Sequence, residues 1–327
     1  MSVLRRIAPP LLLFFLAPLV AEYLLGDLPT TNLAALPVLA LMYGSGALLV
    51  RETVRRIGGG WASFFLLALA YGLIEEGLVD QSLFNPTYLH LRLLDYGFIP
   101  ALGVSLPWTV YVLGLHVLWS LATPIGLAEA LFPTRRRQPW LSRGWLIAIG
   151  LMFVAGMAMG AAFSLRQAQH FASPAQIAVS LALIVALIAA ALALGRRPAA
   201  VTAPVRAAPP VALTLVVCLG LGSLHLLIYA HGGLGLHWPW PVAAAAMLLN
   251  DAALAAWFAF ASRGRTWRAL DGWAAAQGGL LVYAWFGYEG LRNMHHEADL
   301  VGHSVLVAAL LALGLLAGLR ARLGDRA

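Results

Sequence analysis

Polar positions are rare along this chain and long apolar runs recur. Runs of about 20 residues suit an α-helix crossing a bilayer. Ten are read, at about 7–26, 32–50, 61–80, 106–131, 144–164, 175–195, 209–229, 239–261, 272–290 and 301–319. In lipid a segment must satisfy its own backbone hydrogen bonds, so each run is expected to be helical. No stretch shows the ~10-residue alternation of barrel strands. The expected fold class is all-α, a polytopic transmembrane bundle, in one integral membrane domain over residues 1–327. A six-plus-four division of helices is expected at the Arg-, Pro- and Ala-rich linker 196–208. Residues 7–21 follow Arg5-Arg6 as a signal-peptide core does, but the run continues to Gly26 and Leu19-Val20-Ala21 is a poor cleavage site; an uncleaved first helix is expected.

Composition agrees. Hydrophobic residues make up 61% of the 327 residues and charged residues 11%, with mean hydropathy +0.82. The net charge of +7 does not indicate nucleic acid, because the basic residues are scattered in short loops between helices. The lipid bilayer is the expected partner, and a protein or small-molecule substrate is left unidentified. All 21 basic residues are arginine. Ten spans put 18 of them on one side, leaving only Arg92, Arg166 and Arg292 on the other. By the positive-inside rule the arginine side and both termini are cytoplasmic, in the cell (inner) membrane. The single Cys218 excludes an intrachain disulfide and a cysteine-cluster metal site, and is expected in the core.

Histidine and carboxylate fall on the opposite side. All nine histidines lie in the outer half of a span or in an exterior loop, and Glu75, Glu76, Asp80, Glu289, Glu297 and Asp299 share that side. Exterior loops without arginine must be polar somehow, which accounts for the loop histidines. It does not account for deeper groups. Glu75 and Glu76 lie about one and a half turns below the outer end of the third span. Glu76 and Asp80 share a face with Gly72, whereas Glu75 lies about 100° away on the Tyr71 stripe. Two neighbouring acids in low dielectric do not both ionise readily, unless a cation or metal sits between them. Such a pair suits a general base, a proton carrier or a metal site.

His116 is the most deeply placed histidine, about ten residues into the fourth span, with Ser120 and Pro124 at i+4 and i+8. Pro124 cannot donate to the Ser120 carbonyl, so a kink is expected there. Asn250-Asp251 sit mid-span, where Asp251 is expected to pair with His116, His225 or Arg292 or to coordinate a cation. The candidate catalytic residues are Glu75, Glu76 and His116; the candidate substrate-binding residues are Asp80, Ser120, Asp251 and Glu289. A divalent metal is the candidate cofactor, with His116, His225 and His303 as candidate ligands. The segment Arg292–Asp299 is dense in potential ligands but lacks HExxH. Glu22 and Glu129 are read as ordinary interface residues, Trp238-Pro239-Trp240 as an aromatic belt, and Gly156/Gly160 as a close-packing face. The loop 81–105 is expected to lie in the outer interface or fold back over the bundle.

Leu73-Ile74-Glu75-Glu76-Gly77-Leu78-Val79-Asp80 resembles the first motif of the CAAX-protease and bacteriocin-processing family of intramembrane proteases, a Glu-Glu pair followed after three residues by arginine. The resemblance implies that the pair activates water and that histidines on later helices complete the site, with His116 matching the next motif's histidine. Asp80 stands where the motif has arginine, and His225 is followed by Tyr229 where the motif's last pattern has asparagine. The residues therefore support three readings: an intramembrane hydrolase, a proton- or cation-coupled transporter, or a non-catalytic scaffold or sensor.

Overall fold

A computed structural model describes residues 3–167, 170–195, 208–230, 238–262 and 266–326. The linker 196–208 except its last residue, His231, His237, Arg263 and Arg265 lie outside the described residues. Nine of the described helices are long and apolar enough to cross a membrane: α1 (Arg6–Tyr23), α2 (Thr30–Ile57), α3 (Trp61–Val79), α4 (Leu106–Leu131), α5 (Arg143–Gln167), α6 (Pro174–Gly195), α7 (Val211–Ala230), α8 (Trp240–Ser262) and α10 (Glu297–Gly324). The remaining long helix, α9 (Ala269–Asn293), carries the expected ninth span, 272–290.

α9 is less apolar because protein surrounds it. Asp271 and Gln277 are buried with most of its other residues. Its glycines allow backbones to touch: a Cβ on Gly278 would meet the Leu219 nitrogen of α7 at 2.9 Å, and one on Gly290 would collide with the Leu25 carbonyl. α5 and α6 show the opposite pattern. Trp145, Leu151, Val154 and Val185 on them are exposed. A broad apolar face of this kind suits lipid.

The arginine-rich connections meet at one end. Arg51 of α2 donates to the carbonyls of Arg136 and Gln138 at 3.1 and 3.0 Å. Arg136 and Arg137 each donate to the Trp267 carbonyl at 3.2 Å. Asp325, just after α10, accepts from the backbone of Ala269 and Leu270 at 2.9 Å each. The ends of α2, α4, α8 and α10 therefore lie together, and α9 carries the chain from this end to the other. There, the Thr30 hydroxyl donates to Asp299 at 2.6 Å, tying α2 to the start of α10.

A buried ionic network stands at the arginine end. Glu52 binds Arg51 at 2.8 Å and accepts from the Trp140 nitrogen at 2.7 Å. Arg51 also meets Glu129 at 3.0 Å and stacks on Trp140, 3.3 Å from its ring centre. Glu129 in addition takes Arg55. This corrects its reading as an ordinary interface residue: the carboxylate bridges the buried Arg51 guanidinium and the partly exposed Arg55.

The 81–105 loop folds back over the bundle. Its Leu83, Phe84 and Leu94 are buried, and a two-stranded antiparallel hairpin, β1 (Phe98–Ile99) with β2 (Val104–Ser105), closes it. Tyr96 donates to the Trp238 carbonyl at 2.7 Å, so the aromatic cluster anchors this loop. Gly156 does provide a close approach, where a Cβ would stand 2.7 Å from the Met42 nitrogen of α2.

Candidate functional site

Four π-helical turns interrupt the described helices: Leu19–Tyr23 in α1, Ala40–Gly44 in α2, Glu75–Val79 in α3 and His116–Ala122 in α4. Each carries a member of one side-chain cluster: Glu22, Tyr43, the pair Glu75 and Glu76, and His116. A π turn inserts a residue into the helical repeat and re-aims the side chains after it. Here the amide of Asp80 reaches back five residues to the Glu75 carbonyl at 2.8 Å. Glu75 meets Tyr71, on whose stripe it was expected, and both glutamates reach one imidazole.

His116 Nε2 lies 2.7 Å from Glu76 Oε1, and Nδ1 lies 3.3 Å from Glu75 Oε2 and 3.1 Å from Ser120 Oγ. All four side chains are buried. The Ser82 hydroxyl donates to the other oxygen of Glu76 and accepts from Trp108 Nε1 at 3.2 Å. Gly72, a turn below the pair, makes room for α4; a Cβ there would stand 3.2 Å from His116 Cβ.

Two tyrosines wall the imidazole. Tyr43 stacks on it with ring centres 6.4 Å apart, and Tyr71 meets it edge-on at 5.8 Å. Both interact with the Glu75 carboxylate. Tyr43 also donates to Glu22, which brings a third glutamate to the cluster. Glu22 is thus corrected from interface residue to part of the site. Its signal in the sequence was the acid itself near the end of an apolar run.

Asp80 lies at the edge, accepting from Ser164 at 2.9 Å and Tyr88 at 3.0 Å. Burial, then the nearby Glu76 and Glu75, hold its carboxyl well above the usual range. The other candidates lie apart from this cluster. Asp251 binds His225 Nδ1 at 2.8 Å, while His225 Nε2 meets the Tyr111 carbonyl at 3.0 Å. His303 is buried edge-on to Tyr288, 5.0 Å between ring centres. Glu289 pairs with Arg292 at the surface. In the Arg292–Asp299 segment, Asp299 is occupied with Thr30.

Among the described residues, one group of three or more ligating side chains converges enough to hold a metal ion. It is Glu75, Glu76 and His116, whose ligand atoms lie within 4.8 Å of one another. Two carboxylates and one imidazole form a three-donor set of the kind that leaves coordination positions open. The Pro124 break is also accommodated here: the π turn ends just before it, and the Thr123 hydroxyl donates to the Leu118 carbonyl at 2.9 Å.

A family model described as an uncharacterized membrane protein family matches residues 11–262. The chain belongs to that family. The match takes in Glu22, Tyr43, Glu75, Glu76 and His116, together with the His225–Asp251 pair, and ends before α9. No curated protein and no solved structure matches the chain.

Proposed function

We propose that this multi-pass protein, one integral domain of the cell membrane with its arginine end cytoplasmic, is an intramembrane hydrolase acting on a protein or small-molecule substrate within the bilayer. The observation that supports it is a buried imidazole held between two glutamates on π turns of adjacent helices. Both oxygens of Glu76 are engaged, one by Ser82 and one by His116. Glu76 is therefore the positioning group, fixing the ring as a carboxylate fixes a catalytic histidine. Glu75 has the looser contact, 3.3 Å to His116. It is the general base that takes a proton from water, and His116 passes a proton to the departing group. Were a divalent metal bound instead, Glu75, Glu76 and His116 would hold it as ligands, exchanging their contacts with one another for the ion, and it would acidify the attacking water. The resemblance of the Glu-Glu motif to the intramembrane proteases supports the same reading.

A proton-coupled transporter is the second reading. It is favoured by a cavity opening at the arginine end and reaching Leu118 and Trp119, in the same π turn as His116.

The deciding experiment starts with metal analysis of detergent-purified wild type, Glu75→Gln, Glu76→Gln and His116→Ala. The same proteins in proteoliposomes are then assayed against a labelled transmembrane peptide and a fluorogenic lipid ester, and for decay of an imposed pH gradient. Hydrolysis by wild type that Glu75→Gln abolishes supports the hydrolase. Proton flux lost in the same variants, with no cleavage of either probe, replaces it with the transporter.

A further inference from the structure

One apolar-walled space lies away from the glutamate cluster. It is a cavity of about 350 Å³ at the arginine end, among α3, α4, α7, α8 and α9. That volume falls within the rough 300–1,000 Å³ range of ligand sites. Its inner wall is apolar, formed by Phe64, Leu118, Trp119, Leu254, Phe258 and Ala275. Its mouth carries Arg55, Arg136, Arg137 and Arg268, with Glu129 as the acid.

These charges do not balance. Glu129 is already engaged by Arg51 and Arg55, and Arg268 by Asp271 at 3.0 Å. Arg136 and Arg137 each donate to the Trp267 carbonyl, and no ion pair with a carboxylate joins either to the described residues. Burial, and then the neighbouring Arg137, pull Arg136 below its ordinary value. Asp325 and Glu129 act on Arg136 only from beyond ion-pair distance, so two adjacent guanidinium groups with no carboxylate in contact stand above an apolar chamber and match an amphiphile with one charged end. Arginine forks suit phosphate oxygens in particular. Basic pockets between helices on the cytoplasmic side are where anionic headgroups are held.

We propose that this cavity binds a phosphate-headed lipid, its phosphate on Arg136 and Arg137 and its hydrocarbon chain against Phe64, Phe258 and Ala275. The site is separate from Glu75, Glu76 and His116 and does not depend on their chemistry.

The test uses the full chain in detergent, titrated with dioleoyl phosphatidic acid and read by native mass spectrometry and thermal shift. Phosphatidylcholine, glycerol 3-phosphate and inorganic phosphate are run beside it. Losing two charge-assisted contacts should weaken phosphatidic acid about tenfold or more in the Arg136→Gln/Arg137→Gln double variant. Ala275→Phe, which leaves the arginines in place, should weaken it while the unliganded melting temperature stays near wild type. Glu76→Gln should bind as wild type does, whatever its effect on hydrolysis. Equal affinity for phosphatidylcholine, or binding unchanged in both cavity variants, overturns the proposal. Full competition by glycerol 3-phosphate or inorganic phosphate also overturns it, because the ligand is then a free phosphate and the apolar chamber is idle.

Discussion

His116 Nε2 and Glu76 Oε1 stand 2.7 Å apart across 40 residues of sequence, both buried between α3 and α4. Deleting one partner leaves the other buried and unpaired, at a cost of about 1–3 kcal/mol. His116→Ala is therefore expected to destabilise by about that amount in SDS-titration unfolding. Glu76→Gln keeps the shape and can still bond His116 and Ser82, so its stability loss should be smaller; if the hydrolase reading holds, the same change should abolish hydrolysis and any metal binding. Equal destabilisation by both variants, with metal content unchanged, would make the pair a structural clasp.

Tyr43 and Glu22 are coupled in the same way, and a double-mutant cycle isolates them. Tyr43→Phe removes the hydroxyl that Glu22 accepts from, at an expected cost of about 1 kcal/mol. In a Glu22→Ala background, where the acceptor is gone, the same change should cost less, giving a measurable coupling energy. Additive effects would show that the contact carries no stability. If the hydrolase reading holds, Tyr43→Phe should also slow hydrolysis, because Tyr43 stacks on His116 and interacts with Glu75.

The helical spans were legible because apolar length is a strong signal, and the deep Glu75, Glu76 and His116 were legible because such groups do not suit lipid. Glu22 and Glu129 were not. Each sits near a span end, where an acid is ordinarily unremarked, and only tertiary packing brings Tyr43 to the first and Arg51 and Arg55 to the second. Asp251 was read with three candidate partners, and the crossing of α7 with α8 selects His225. The convergence of Glu75 and Glu76 on one ring was hidden for a different reason. Regular helical periodicity separates neighbours by 100°, and no residue in Glu75–Val79 announces a π turn.

Arg51 is expected to be among the most sensitive positions outside the site. Its guanidinium bonds Glu52 and Glu129, donates to loop carbonyls and stacks on Trp140. Arg51→Ala leaves Glu52 buried with less compensation, and breaking such a pair costs about 3–5 kcal/mol. Arg51→Lys keeps the charge but loses the planar fork and should still destabilise. SDS-titration unfolding, with protease cutting of the 132–142 loop as a local reading, measures both. A lysine variant as stable as wild type would show that charge alone holds the loop.

Asp27 gives the pH test. It lies half-buried in the turn between α1 and α2. Burial, then Glu22 and Glu76, push its carboxyl from 3.8 up to about 8. A carboxyl with a raised folded-state value binds its proton more tightly in the folded chain than in the unfolded one. The stability it contributes is complete below about pH 4 and is lost as pH rises towards 8. Asp80, also raised, acts with the same sign, so it adds to the wild-type slope. Asp27→Asn cannot titrate and should flatten part of that slope. Thermal melts at pH 5, 6.5 and 8 should show the variant gaining on wild type with each step, most at pH 8. Parallel profiles would mean that Asp27 is solvated as an ordinary surface carboxylate.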